Sequence, residues 1–415
     1  MSDQASPATQ MKQTALYVLI ALLFTATALN YLDRQVLSLL KPTLQAEFNW
    51  TDSQFASLGT ASQISAIAAL FFVGWFVDRF GVVFGFTVAV AIWSLAGMGT
   101  ALATTVGGFM IARVILIFAE TITTPAAVKA VALYVPLEQR SLAIGIVNSA
   151  SNFGSILAPI VVIWISVTFG WHEAFVITGA LGFVWIAFWL RGTRGLTPTA
   201  SAAASIKASE KVDWREMFRD RRTWAIASAK LLTDSVWWFL LFWIPDLFSK
   251  VYDLSQAEIA WPIAIVYLMA AAGALSSGLL FPALLRRGYS VNRARKTSMF
   301  FYGCLILPIT LALTAGSPWI AAVIIGLGLF AHQGFSTNIF GMTADIIPAA
   351  RVGTVIATGA IFGNLGGVAT IQFTGYALDS GIGYGPLFVF SSCAYLLALL
   401  VIHIILPTIK PTAGE

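Results

Sequence analysis

Charge is scarce in this chain. Lys, Arg, Asp and Glu together make up 10% of its 415 residues, against roughly 25% in soluble domains. That scarcity, with 58% apolar residues and a mean hydropathy of +0.83, excludes a water-soluble globular fold. Cysteine is nearly absent too. Cys304 and Cys393 both lie in apolar stretches, so neither a disulfide framework nor a zinc site is expected. The chain has no P-loop, no HExxH and no GxSxG, so no cofactor, metal or enzymatic chemistry is expected. The polar segment Met1 to Lys12 lacks a cleavable secretory pattern. The net charge of +5 needs no nucleic-acid partner, because its basic residues concentrate in loops.

What is present is a series of long apolar runs. A bilayer span takes about 20 apolar residues, and spans are predicted near 14–40, 52–77, 82–103, 107–134, 141–167, 170–190, 223–248, 256–285, 295–315, 317–345, 352–378 and 384–406. The organisation expected is a cytoplasmic tail at 1–13, a six-helix half at 14–190, a cytoplasmic linker at 191–222, a second half at 223–406 and a tail at 407–415. The linker from Thr197 to Ser209 reads as flexible, and Met217 to Arg222 as a short surface helix. With both termini inside, 18 of the 24 basic residues fall in inside loops and tails and two, Lys41 and Lys250, outside. This asymmetry predicts cytoplasmic termini.

The halves repeat. Pro42 is followed by Thr51-Asp-Ser-Gln54, a helix start of capping-box type, and Pro245 by Ser255-Gln-Ala-Glu258. Gly74 and Gly278 each follow 23 residues later, and Pro136…Arg140 matches Pro348…Arg351. Two pseudo-symmetric six-helix halves imply a cavity at their interface and alternating access by rocking.

Four charged residues stand out because intramembrane charge is costly and marks a pathway. Asp33 and Arg34 lie in the first span, and Arg113 and Glu120 in the fourth. Arg113 and Glu120 are seven residues apart, hence on one helix face and about 10 Å apart along the axis. Asp33, Arg34 and Arg113 are expected at one level. A structural ion pair between spans one and four is the plainer reading. Two arginines and two carboxylates exceed what one pair needs, which favours a functional site. A buried carboxylate tends to be neutral and a nearby arginine opposes that, so an anion competing for the arginine would drive protonation of the carboxylate.

Other polar residues are candidates for substrate contact or gating. Lys230 and Asp234 share a face of span seven and are expected to pair. Trp237 and Trp238 follow, and one of them is expected to stack on the substrate unless both serve packing. His332 sits mid-span with Gln333 and Asn338 nearby, either as a second proton site or as a hydrogen-bond donor. Asn152 and Asn364 are repeat equivalents whose neutral amides suit substrate hydroxyls, with Asn148 one turn from Asn152. Lys129 lies about 180° from Glu120 on an ideal helix, which makes it an inner gate, or a substrate contact if Pro125 bends the helix. Summing Arg34, Arg113, Lys129 and Lys230 against Asp33, Glu120 and Asp234 leaves one positive charge in the spans, which favours an anionic substrate. The Gly363-Asn364-Leu-Gly366-Gly367 stretch reads as close helix packing.

Two motifs carry a family resemblance. Gly74-Trp-Phe-Val-Asp78-Arg79-Phe-Gly81 resembles the G-x-x-x-D-R-x-G signature of the major facilitator superfamily, which implies that Asp78 and Arg79 lock inner helix ends together. Asn30-Tyr-Leu-Asp33-Arg34-Gln35 with Leu40-Lys41-Pro42 resembles the first helix of the anion:cation symporter branch. Lys129-Ala-Val-Ala, Gly145-Ile-Val-Asn148-Ser-Ala-Ser, Leu232-Thr-Asp234-Ser-Val-Trp237-Trp238-Phe and Ala331-His332-Gln333-Gly334-Phe-Ser-Thr-Asn338 extend the likeness to bacterial hexuronate transporters. The chain departs from that pattern at Ala119-Glu120-Thr121-Ile122-Thr123-Thr124-Pro125. The resemblance implies an all-α membrane protein of twelve helices, monomeric, in a bacterial inner membrane. It implies a proton-coupled symporter of a sugar acid anion, with Asp33 and Glu120 coupling protons and the arginines binding substrate and gating. Aldonates, aldarates and dicarboxylates remain open as substrates. A drug/proton antiporter would not need the excess buried arginine and lysine, and a membrane sensor would carry a soluble domain.

Overall fold

The computed structural model describes residues 7–196 and 219–409. The expected linker from Thr197 to Ser209, Met217 and the outermost parts of both tails lie outside the described residues. Among those described, twelve helices are long and apolar enough to cross a membrane. In lipid every backbone group must be paired within its own segment, so a chain of this composition spans as helices.

The first half runs through α1 (Pro7–Leu39), a short α2 (Lys41–Phe48), α3 (Asp52–Phe80), α4 (Val82–Thr100), α5 (Val106–Glu120), α6 (Thr123–Tyr134), α7 (Leu137–Phe169) and α8 (Trp171–Gly192). The second runs through α9 (Arg221–Tyr252), α10 (Ala260–Arg286), α11 (Val291–Leu305), a 3-10 turn (Leu307–Leu313), α12 (Pro318–Ile346), α13 (Ala349–Asp379) and α14 (Gly385–Ile405). Helix α1 thus begins inside the segment expected to be a tail. The end of the bundle carrying the start of α1 and the end of α14 is called here the terminus end, and the opposite end the distal end.

Local chemistry sets several boundaries. Thr51 accepts from the Gln54 amide at 3.1 Å and the Gln54 side chain accepts from the Thr51 amide at 2.9 Å, which completes the capping box that opens α3. In the second half the Ser255 amide and hydroxyl both donate to Glu258. Gly81 closes α3 at φ +81°, a conformation that glycine adopts without strain.

Span four is broken. The backbone turns at Thr121 and Ile122 between α5 and α6. Pro125 has no N–H to donate to the Thr121 carbonyl, and Ile122 reaches back only to Ala119. The Asn30 amide of α1 donates to the Glu120 carbonyl at the break, at 3.2 Å. The last functional residue of α5 is therefore held by α1.

The apolar core is divided. One cluster includes Leu40, Phe55, Phe242 and Trp243 and joins both halves across the distal end. A second, with Phe86, Trp93, Trp185 and Trp189, belongs to the first half alone. The principal seams between the halves are α3 against α13 and α7 against α10. Gly375 permits the first of these, since a Cβ there would stand 2.6 Å from that of Ala56.

Candidate functional site

Arg34 and Glu120 form an ion pair at 3.1 Å between α1 and the end of α5. The Glu120 side chain is fully buried and its Oε1 has no hydrogen-bond partner. Arg113 pairs with no carboxylate among the described residues. Its guanidinium donates to the Arg34 carbonyl at 2.6 Å, to Ser62 Oγ at 3.2 Å and, more weakly, to the Asp33 carbonyl. The sequence places Asp33, Arg34 and Arg113 at one level, and the structure has them there. It gives the partnership with Glu120 to Arg34 and turns Arg113 into a clamp on the backbone of α1.

Asp33 and Arg34 face different spaces. Asp33, 5% exposed, lines a small cavity inside the first half with Thr100, Arg113 and Thr178. Its Oδ1 has no hydrogen-bond partner among the described residues, and Thr178 of α8 stands across the same cavity. Arg34 lines a cavity between the halves with Ser62, Gln63 and Arg113 on one side and Trp238, Leu241 and Phe242 of α9 on the other. Arg34 is thus within reach of both Glu120 and a molecule lodged between the halves.

In the second half Lys230 and Asp234 pair at 2.7 Å as expected. The two tryptophans separate in role. Trp237 stacks on His332, ring centroids 5.0 Å apart, and His332 Nδ1 meets the Tyr395 hydroxyl at 2.7 Å. Trp238 is the one that lines the cavity opposite Arg34. Asn364 is buried, donates to the Ala360 carbonyl at 2.7 Å and leaves Oδ1 without a partner. Asn152 and Gln333 are half-buried and Asn148 is exposed. Asn338 is fully buried, and its amide nitrogen lies 2.9 Å from each of Ser277 Oγ, Ser298 Oγ and the Gly334 carbonyl, sharing its two hydrogens among them. Its amide ties α10, α11 and α12 together, a packing role where substrate contact was expected.

Lys129 points away from the site. Its ammonium bonds Asp78 at 2.5 Å and the Val77 carbonyl at 3.1 Å, and fastens α6 to the terminus end of α3. Asp78, near the end of α3, thus bonds Lys129 in the middle of α6, where the signature implies a lock between helix ends; Arg79 is exposed. The surplus positive charge expected in the spans does not hold. Lys129 is taken by Asp78, which leaves Arg34, Arg113 and Lys230 balanced by Asp33, Glu120 and Asp234.

Sequence reasoning missed a third group. At the distal end Lys41 pairs with Asp52 at 2.6 Å and with Asp246 of the other half. Lys250 pairs with Asp52 at 2.7 Å and Asp246 at 3.3 Å. Two lysines and two aspartates, one of each from either half, make a closed ring, which the Tyr384 hydroxyl joins through Asp246. Lys41 is completely buried, and its ammonium lies 4.6 Å from the Trp243 ring. Burial pushes the Lys41 ammonium below its ordinary range, while Asp246 and Asp52 oppose that shift. Asp379 of α13 accepts from the amides of Asp52 and Ser53, each at 2.9 Å, and so caps α3 from the opposite half. Gln256 does the converse, donating to the Leu39 carbonyl at the end of α1 at 2.6 Å.

Residues 23–371 match the profile of the Major Facilitator Superfamily. The chain belongs to the major facilitator superfamily. As a superfamily member it is a multi-pass membrane transporter of a small molecule and not an enzyme. It is 29% identical to the hexuronate transporter of Escherichia coli K12 over 94% of both chains. It is 29% identical to the galacturonate transporter of Dickeya chrysanthemi, over 66% of this chain and 84% of that one. It is 25% identical to a D-galactonate transporter of Escherichia coli O6:H1 over 95% of this chain and 96% of that one. Its fold is that of the D-xylose-proton symporter, with a TM-score of 0.73 at 17% identity over 96% of this chain and all of that one. It also matches a bacterial homologue of the lysosomal transporter Spinster in an inward-facing conformation, with a TM-score of 0.71 at 18% identity over 94% of each chain.

Proposed function

We propose that this transporter imports a sugar acid anion, preferably a hexuronate, together with protons, across the bacterial cytoplasmic membrane. Both termini are cytoplasmic in this reading, the distal end faces outward, and the protein works as a monomer. The proton is the coupling ion and no cofactor takes part. The observation that carries the reading is Arg34, which lines the cavity between the halves while bonded to buried Glu120.

The coupling follows from competition. A substrate carboxylate entering the cavity offers Arg34 a second, bidentate partner. Arg113, held on the α1 backbone, keeps a further positive charge beside it. As Arg34 turns to the substrate, Glu120 is left buried without its ion-pair partner or a second hydrogen bond, and a carboxylate in that setting takes a proton. Asp33, buried beside Arg113 with one oxygen unpartnered among the described residues, is the second proton-carrying group. Loading one proton makes the first half one charge more positive, which matches a monoanion. The names of the relatives, hexuronate, galacturonate and galactonate transporters, support the substrate class. Other aldonates, aldarates and dicarboxylates are the alternatives within it.

The test is uptake of radiolabelled sugar acids into proteoliposomes under an imposed pH gradient. Glucuronate or galacturonate should accumulate only when the outside is more acidic. Arg34→Lys should raise the apparent binding constant for glucuronate by about tenfold or more, since a charge-assisted hydrogen bond is worth about 1.5–3 kcal/mol and lysine lacks the planar fork. Neutral glucose should not compete. Equal inhibition by glucose and glucuronate would exclude carboxylate recognition at Arg34.

A further inference from the structure

The second half holds a charged group to which the coupling scheme gives no task. Lys230 and Asp234 pair on α9 with side chains 10% and 13% exposed. Trp238, four residues beyond Asp234, lines the cavity opposite Arg34. Four residues turn a helix by about 40° and advance it by about 6 Å, so Asp234 stands on nearly the same face one turn nearer the terminus end, and Lys230 about 12 Å from the Trp238 level. On its distal side the cavity is bounded by Phe242, one turn beyond Trp238 on α9. A molecule held by its carboxylate at Arg34 therefore extends toward Asp234 before it can reach Lys230.

The pair is fixed in place. Asp234 packs against Gly363 and Lys230 against Gly359, both of α13, and the Lys230 ammonium lies 4.9 Å from the Phe340 ring. Thr233 Oγ1 leans on the second Asp234 oxygen at 3.4 Å. The other ionisable neighbours, His332 and Tyr395, are bonded to each other. The pair is neutral as a whole, and its acidic member is the one nearer Arg34.

We propose that Asp234 reads the end of the substrate remote from its carboxylate, accepting hydroxyl hydrogens there and excluding a second carboxylate, with Lys230 as the positioning residue that keeps it ionised. This inference rests on the sugar-acid reading above and narrows it: the site takes sugar monoacids in preference to aldaric diacids. A hydroxyl satisfies the free lone pairs of a carboxylate, whereas a like charge at close range in a site of low dielectric is strongly unfavourable. The Lys230 charge offers a diacid no compensation, because Asp234 already neutralises it.

Galactonate and galactarate differ only in whether the far carbon is a hydroxymethyl or a carboxylate, so they isolate this contact. Titration calorimetry on the purified, detergent-solubilised chain should show galactarate binding at least about tenfold more weakly than galactonate, a difference of about 1.4 kcal/mol. In Asp234→Asn, which exposes the Lys230 ammonium, that ratio should shrink at least tenfold, with galactarate gaining affinity outright. The double variant Lys230→Gln/Asp234→Asn, which removes the pair together and leaves no unpaired buried charge, should show a smaller gain of the same sign. Equal binding of the two acids by the native protein, or an unchanged ratio in both variants, overturns the inference while leaving the sugar-acid reading intact. Binding of neither galactonate nor glucuronate by the native protein overturns that reading, and this inference with it.

Discussion

Glu120→Gln abolishes gradient-driven accumulation of the sugar acid, while exchange of labelled for unlabelled substrate persists. Glutamine has the size of glutamate and keeps an acceptor for Arg34, so the 3.1 Å contact between α1 and α5 survives. What it cannot do is take up a proton. Each pH unit is worth about 1.4 kcal/mol per proton, so a gradient of about two units supports roughly hundredfold accumulation of a monoanion carried with one proton. In Glu120→Gln the ratio of inside to outside substrate should fall to unity. Asp33→Asn should act in the same direction, because Asp33 is buried with an unpartnered oxygen. Full accumulation by both variants would end the assignment of these carboxylates as proton carriers.

Asp246→Asn opens the distal end. Asp246 joins Lys41 and Lys250 to Tyr384, and its side chain is 2% exposed. Without Asp246, Lys41 and Lys250 are left to share Asp52, so the closed end carries one positive charge with no counter-charge; removing one partner from a buried ion pair typically costs about 3–5 kcal/mol. That cost falls on the closed state alone, since parting the halves lets water reach Lys41. A change of about 3 kcal/mol moves a two-state equilibrium more than a hundredfold. The readout is a single cysteine at Ser62, on the cavity wall, with Cys304 and Cys393 replaced by serine. A membrane-impermeant thiol reagent added at the distal face should label it at least tenfold faster in Asp246→Asn. Unchanged labelling would mean that the ring does not hold the halves together.

Architecture was legible because lipid leaves so few solutions. Apolar runs of about 20 residues, an internal repeat and basic loops define twelve spans. The intramembrane charges were legible for the same reason: Asp33, Arg34, Arg113 and Glu120 stand out against an apolar background. Their partners were harder to read. Helix spacing places Arg113 and Glu120 on one face, but it cannot show that Arg113 prefers the carbonyls of α1. Lys129 was positioned on an ideal continuous helix, and the break before Pro125 removed that premise. Asn338 and His332 look alike as mid-span polar residues, yet each is committed to neighbours that only the packing reveals. The ring at the distal end was hidden by sequence distance. Lys41 and Asp246 lie 205 residues apart, and each is unremarkable in its own segment. Asp52 was read only as part of a helix start.

Asp379 has a consequence for how the working cycle can be followed. Because an acceptor from one half caps the first amides of a helix in the other, the protons on the nitrogens of Asp52 and Ser53 are shielded only while the halves touch. Amide exchange with deuterium at these two positions should therefore clock the parting of the halves directly, without a label or an engineered side chain. Substrate or a pH step that favours the distal-open state should speed exchange there and leave the amides in the middle of α3 slow. The same two protons would then serve as an internal gauge for ranking ligands by the state they stabilise.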